Sequence, residues 1–445
     1  MSDDPAAVRD DSPPPVSRFE AWAWAAVFAI VVVAYAVAAA IDAPAWFGFN
    51  AFRGVAVDGT TLLWIAGAAA AAVTLAAWQP KRQPPAWVSA RVVAVIAAGA
   101  AGAAMWAARS NVLNPDGRMF APKFARDVPS LGAFVTHDEM LEFLVHSRLW
   151  VYANRWWGWS IEQTYQAASC AGGAVFVYLL FRLARRLAPN APALFLLGVL
   201  GGGYMQLFFG DVENYTLTAV VVTGYLLASH RHLAGEVPLW VPSVTLALAG
   251  AFHLLAAWLI PTWLVLCVVE FRRSPRKNDI ANSVAAAAAV MAVVLVLVQF
   301  YGLPLRNLVS SHAGRALRMQ GMFVTGWSSQ YYFEQLNLLF LLCPAVLMLI
   351  WLAAWNRLTT DVTGVFLAVG GASMLIFQAA WRSQIGVYND WNLYAIGALV
   401  VAVLVWRSIA LAATTRSHRL VAAGLAMAAL LHSAAWIMAN HTHGR

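Results

Sequence analysis

Charge is scarce in this sequence. Only 11% of its 445 residues are Asp, Glu, Lys or Arg, and 61% are hydrophobic, whereas a soluble domain is about 25% charged and about 45–50% apolar. That balance excludes an ordinary soluble enzyme, and no polar stretch is long enough to build a separate soluble domain. Cysteine is rarer still in number: Cys170, Cys267 and Cys343 all fall inside apolar segments with no paired spacing. This rules against a zinc site or a disulfide framework, and the three are read as small core residues. The chain also contains no Walker A motif, no nucleotide-binding glycine fingerprint, no G-x-S-x-G and no H-E-x-x-H, so nothing supports cytosolic nucleotide chemistry.

What the sequence does have is apolar runs, each long enough to cross a ~30 Å hydrocarbon core. They predict spans at 21–42, 60–78, 87–108, 166–186, 191–209, 214–229, 281–303, 333–355, 362–381, 393–411 and 419–438. The stretch 239–270 is too long for one span and short for two, so it is expected to be a broken pair meeting near His253 to Pro261. The expected fold class is all-α, a polytopic transmembrane bundle of roughly 11–13 spans. Residues 1–20, polar and Pro-rich, are read as a disordered cytoplasmic head, with 21–445 as a single membrane domain. The first apolar run exceeds a signal-peptide core of about 7–15 residues and is expected to stay attached as the first span.

The formal net charge is +8. In a membrane protein, Lys and Arg gather in cytoplasmic loops, so the basic balance is read as topology and implies no nucleic-acid partner. If the 239–270 stretch enters and leaves by the same face, "QPKRQPP", "RLARRLAPN", "SHRHLAGE", "FRRSPRKND", "WNRLTTD" and "TTRSHR" share the cytoplasmic side. The other side receives larger loops at 111–160 and 303–333 and two short turns, "GDVENY" and "WRSQIGVYNDWN". The Ala-Val-Leu-rich helices fit a bacterial inner membrane, with the N-terminus cytoplasmic and the acid-rich face outside.

Acids are conspicuous on that outer face. In "THDEMLEFLVH" (136–146), Thr136 and Glu139 have the spacing of a capping box, and first-turn acids suit a helix dipole. Capping and surface solvation account less well for Glu142 and His146, which continue the face of Glu139 at i+3 and i+4. The expected element is an amphipathic interfacial helix with Glu139, Glu142 and His146 opposite Met140, Phe143 and Leu144. "GDVENY" places Asp211, Glu213 and Asn214 in a turn where one cap would suffice, and acids at membrane depth are costly. In "QIGVYNDWN", Asn389 and Asp390 precede another span, with Asp390 a natural N-cap. The 303–333 loop is basic: Arg315 and Arg318 share a face with His312 and suit a phosphate through forked hydrogen bonds, or an ordinary lipid headgroup. His253 is read as a satisfied interhelical histidine.

Carboxylates beside a basic, phosphate-sized patch at a membrane boundary, with Trp150, Trp156, Trp157 and Trp159 nearby, are the parts needed for glycosyl transfer from a lipid-phosphate donor. A carboxylate serves as base on the acceptor hydroxyl, and cations stabilise the departing phosphate. The sequence then resembles a known family. "HDE", "GDVENY", "GAFHLLAAWLIP" and "NDWNLY" are similar to the pattern of bacterial GT-C-type integral membrane glycosyltransferases. The resemblance implies a multi-span fold, a polyprenyl-phosphate-linked sugar and membrane lipid as partners, and an outer-loop acid as base. That role carries to Asp138 or Glu139, with His137, Glu142, His146, Asp211, Glu213, Asn214, Arg315, Arg318, Asn389 and Asp390 as substrate-binding candidates.

One departure matters. The family's acidic motif stands in the first outer loop, which here holds only Asp42 and Asp58. Either two helices have been added in front, or Asp58 is the true counterpart. Acids at 138, 139, 211 and 213 could ligate a divalent cation, but their dispersion does not establish a site. The rival readings are a transporter or lipid flippase, and an envelope glycan polymerase or ligase.

Overall fold

The computed structural model describes residues 90–110, 138–273, 277–301, 328–383 and 386–442, with fragments at 22–33, 47–48 and 117–118. Its α-helices are α1 (Ala90–Ala107), α2 (Met140–Trp157), α3 (Ile161–Leu187), α4 (Pro192–Leu200), α5 (Thr216–Leu233), α6 (Trp240–Phe252) and α7 (Ile260–Arg273). They continue with α8 (Lys277–Phe300), α9 (Ser329–Leu342), α10 (Met348–Ala354), α11 (Val362–Ala380), α12 (Trp391–Ala412) and α13 (Arg416–Thr442). Among the described residues there is no β-strand. The protein is an all-α, multi-pass membrane bundle. Among the described residues, six helical segments are long and apolar enough to cross a membrane, and a bent pair makes up to seven. The expected spans at 21–42 and 60–78 lie essentially outside the described residues.

Local chemistry sets the helix ends. Gly158, at φ +65°, closes α2 in the left-handed region that glycine adopts without penalty. Ser160 and Gln163 then open α3 with a reciprocal capping box, each side chain accepting from the other's backbone N–H. Asp361 caps α11 by accepting from the Gly364 N–H at 2.6 Å, and its second oxygen pairs with Arg407 of α12 at 2.5 Å.

The 239–270 stretch is broken where length demanded. Helix α6 stops at Phe252, His253 is extended, a 3-10 turn covers Leu254–Leu259, and α7 follows. Two runs expected to be continuous are not. The 333–355 run bends by 115° between Leu342 and Pro344, where proline has no N–H to continue the ladder. The 191–209 run gives only the nine residues of α4 before three glycines and the 3-10 turn Gly203–Phe208. A Cβ on Gly201 would strike Ala429, and one on Gly203 would strike the Leu341 carbonyl, so this segment is shaped for close approach to α13 and α9.

At the centre is α12, with 94% of its apolar window buried, whereas only 17% of that in α8 is buried. Helices α4, α11 and α13 pack on α12, and α1 and α5 pack on α3. The α4–α12 approach is closest at Gly198, where a Cβ would lie 2.0 Å from the Trp406 ring.

Candidate active site

The acidic pair sits just ahead of α2. Glu139 occupies its N-cap position yet makes no capping hydrogen bond. Its carboxylate reaches to other elements instead: Oε2 accepts from Asn214 Nδ2 at 3.1 Å, and Oε1 lies 3.4 Å from His253 Nε2. Asn214 Oδ1 in turn accepts from the Tyr165 hydroxyl at 3.2 Å. The start of α2, the "GDVENY" turn, the His253 break and the second turn of α3 therefore converge on one carboxylate.

The break in the apolar stretch explains why His253 is available. Ending a helix leaves backbone N–H groups that must find acceptors. The Leu254 N–H donates to the Asp138 carbonyl at 2.7 Å, and the Leu255 N–H donates to His253 Nδ1 at 3.0 Å. A ring nitrogen that accepts carries no proton, so neutral His253 holds its proton on Nε2, facing Glu139. Tyr215 stacks on the His253 ring with centroids 4.7 Å apart and fixes its plane.

One turn along α2, Glu142 and His146 are not at an interface: their exposures are 0% and 1%. Met140, Phe143 and Leu144 are buried as well, so the expected polar-against-apolar division of this helix is absent. The exposed surface of α2 is aromatic at its end, with Trp156 and Trp157 72% and 69% exposed. His146 stacks flat on Tyr165 at 3.9 Å, and its Nδ1 donates to the Glu142 carbonyl at 3.1 Å while standing 3.4 Å from Glu142 Oε1. Burial lowers His146 to about 4. Burial, then the nearby charge of Glu139, pushes the Glu142 carboxyl well above its ordinary range, with the Leu217 backbone N–H opposing. Both shifts favour the neutral forms, so this contact is a neutral pair rather than an ion pair.

Asp211 and Glu213 are buried in the turn beside Asn214. Gly210, at φ +77°, makes that turn; its N–H donates to Ser169 Oγ at 3.0 Å, and a Cβ there would meet Arg109 at 2.7 Å. Neither acid caps the next helix, since the N-cap position of α5 is Tyr215 and carries no capping bond. Asn389 and Asp390 stand before α12, beside the aromatic group Tyr388, Trp391 and Trp436. Asp390 holds the N-cap position without a side-chain cap bond, and neither residue enters the hydrogen bonds of the Glu139 group described above. His137, Arg315, Arg318 and Asp58 lie outside the described residues. Among the described residues, no group of three or more His, Cys, Asp or Glu is placed to hold a metal ion.

Sequence reasoning missed three members of the group. His253 was legible as a polar residue at a predicted break, but its partner was not. Tyr165 and Tyr215 carried no signal beyond aromaticity near a helix end. On the far side of α3 from Tyr165, an apolar cavity of about 280 Å³ is lined by Gly102, Trp106, Trp159, Ala167, Cys170 and Ala171.

No family model matches the chain, and no curated protein matches it in sequence. Among solved structures it is similar to the crystal structure of ArnT from Cupriavidus metallidurans bound to undecaprenyl phosphate. The TM-score is 0.54 at 14% identity, over 79% of this chain and 77% of that one. The chain has a GT-C-type fold. At this identity the likeness is one of fold, and the roles of individual residues rest on the geometry above.

Proposed function

We propose that the protein is a glycosyltransferase that moves a sugar from a polyprenyl-phosphate donor to an acceptor hydroxyl on the extracytoplasmic side of a bacterial inner membrane. The observation that carries this reading is the Glu139 carboxylate, oriented by Asn214 and His253 at the meeting point of four elements, in a fold similar to one solved with undecaprenyl phosphate. Glu139 takes the acceptor proton as general base, with Asp138 adjacent. The acceptor oxygen bonds to the anomeric carbon as the bond from that carbon to the phosphate oxygen breaks, and the electron pair leaves on polyprenyl phosphate. Cations at that oxygen lower the barrier. Arg315 and Arg318 are the expected ones, and Arg109 is a further candidate: its guanidinium lies 4.0 Å over the Trp106 ring beside the apolar cavity and next to Gly210. His137, Glu142, His146, Asp211, Glu213, Asn389 and Asp390 remain candidates for shaping the substrate site.

The test is release of free polyprenyl phosphate from a panel of polyprenyl-phosphate sugars by reconstituted protein. Glu139→Gln is expected to lower release by roughly 10²–10⁴-fold while the protein remains folded by size-exclusion chromatography. Equal release by wild type and Glu139→Gln would remove Glu139 as base, and loss in Asp138→Asn alone would move the role to its neighbour. A transporter or flippase is the second reading, favoured by the broken segments at His253 and Pro344; it requires flux across vesicles with no donor consumed.

A further inference from the structure

Helices α1 and α3 meet again at the end of the bundle away from Glu139. Tyr165 lies in the second turn of α3 and Arg182 near its end; at a rise of ~1.5 Å per residue they are about 25 Å apart. There Arg91, Arg182, Arg185 and Arg186, with Tyr178 and Phe181, line a pocket of about 290 Å³. Among the described residues, no carboxylate lines it.

Arg186 of the pocket itself and two further basic side chains at this end are already engaged. Arg186 donates to both oxygens of Glu236 at 2.5 and 2.8 Å, and Arg231 joins the same carboxylate at 3.2 Å. Arg273 donates to the carbonyls of His232 and Leu233 at the end of α5. Arg91, Arg182 and Arg185 have no anionic partner among the described residues; Arg182 has only the Tyr178 ring, 5.8 Å from its guanidinium.

A topology signal needs positive charge near a membrane face, but it does not need guanidinium groups to converge on one concavity. Convergence without a counter-charge is repulsive, and an anion relieves it. The planar fork of Arg fits phosphate oxygens, and Tyr178, Phe181 and Ala94 add the apolar wall expected where headgroup meets chain. The end of a membrane-crossing helix sets the pocket at headgroup depth.

We propose that this pocket holds the phosphate of an anionic phospholipid headgroup, in the leaflet opposite the Glu139 group. Purified full-length protein would be incubated with mixed micelles containing phosphatidylglycerol or phosphatidylcholine, and retained lipid read by native mass spectrometry. Wild type is expected to retain phosphatidylglycerol over phosphatidylcholine by about tenfold, and Arg182→Gln/Arg185→Gln to lose that preference. Arg91→Gln, at the exposed start of α1, should lower it severalfold by itself and carries the test if the double variant does not fold. Retention unchanged in the variant that folds overturns the proposal. Displacement of the lipid by an equal concentration of inorganic phosphate overturns the lipid assignment in favour of a free phosphate site.

Discussion

Replacing Glu142 by Gln should expose an acid instability that the wild-type chain hides. Burial lowers His146 from its ordinary 6.5 to about 4. Between those values the unfolded chain binds a proton that the folded one refuses, so this contribution makes stability fall as pH falls, by roughly 3 kcal/mol over the interval. Glu142 has the opposite sign. Burial, with the Glu139 charge second, raises it well above its ordinary 4.5. Above 4.5 the folded state therefore keeps a proton that the unfolded state has released, and stability falls as pH rises. Where the raised Glu142 still holds its proton in the folded state, the folded pair carries it on Glu142 and the unfolded pair carries one on His146. The proton count is the same, and the two slopes offset each other. Glu142→Gln leaves only the His146 contribution, so the variant itself should lose roughly 3 kcal/mol between pH 6.5 and 4 through that histidine. The assay is the unfolding midpoint in detergent across that range, read as Glu142→Gln minus Glu142→Gln/His146→Gln so that other titrating groups drop out. A difference that stays constant with pH would refute the reasoning, because His146 would then titrate alike folded and unfolded.

Three further outcomes follow from single contacts. Asn214→Leu removes the amide that orients Glu139 and leaves the Tyr165 hydroxyl without that acceptor. Polyprenyl phosphate release should drop by roughly 10–100-fold and stability by roughly 1–3 kcal/mol, and undiminished turnover would show that the amide does not matter to the base. Gly198→Ala drives a methyl into the Trp406 ring and should cost about 1–3 kcal/mol in thermal unfolding. Asp361→Ala removes both the cap of α11 and the partner of buried Arg407; a loss of roughly 2 kcal/mol is expected, below that of a fully buried pair because Asp361 is half exposed.

The helices were legible because apolar length is a local property: the runs at 362–381 and 393–411 are α11 and α12 within a few residues. The break at His253 was legible from length alone. The bend at Pro344 was not, since the proline stands in an unbroken apolar run that reads as one span. Apolar composition also failed to tell α12 from α8, because lipid accepts an apolar surface as readily as a protein core does. The candidate site was visible only as isolated turns. Acids stand out in a greasy sequence, but the hydrogen bond from Asn214 to Glu139 joins residues 75 apart, and nothing in either turn names the other. The same limit hid the burial of Glu142 and His146, whose helical spacing suggested a wet face.

The enclosure of α12 has a consequence for biosynthesis. It emerges late, after α1 to α11, yet α4, α11 and α13 all pack on it. The notch at Gly198 is cut for a tryptophan more than 200 residues downstream. Early helices must therefore wait in the membrane with inward faces against lipid or one another, and the core closes only after Ala412 has been made. Chains ending before Trp391 are expected to insert but stay open to limited proteolysis, so assembly is a late, concerted event rather than a progression from the N-terminus.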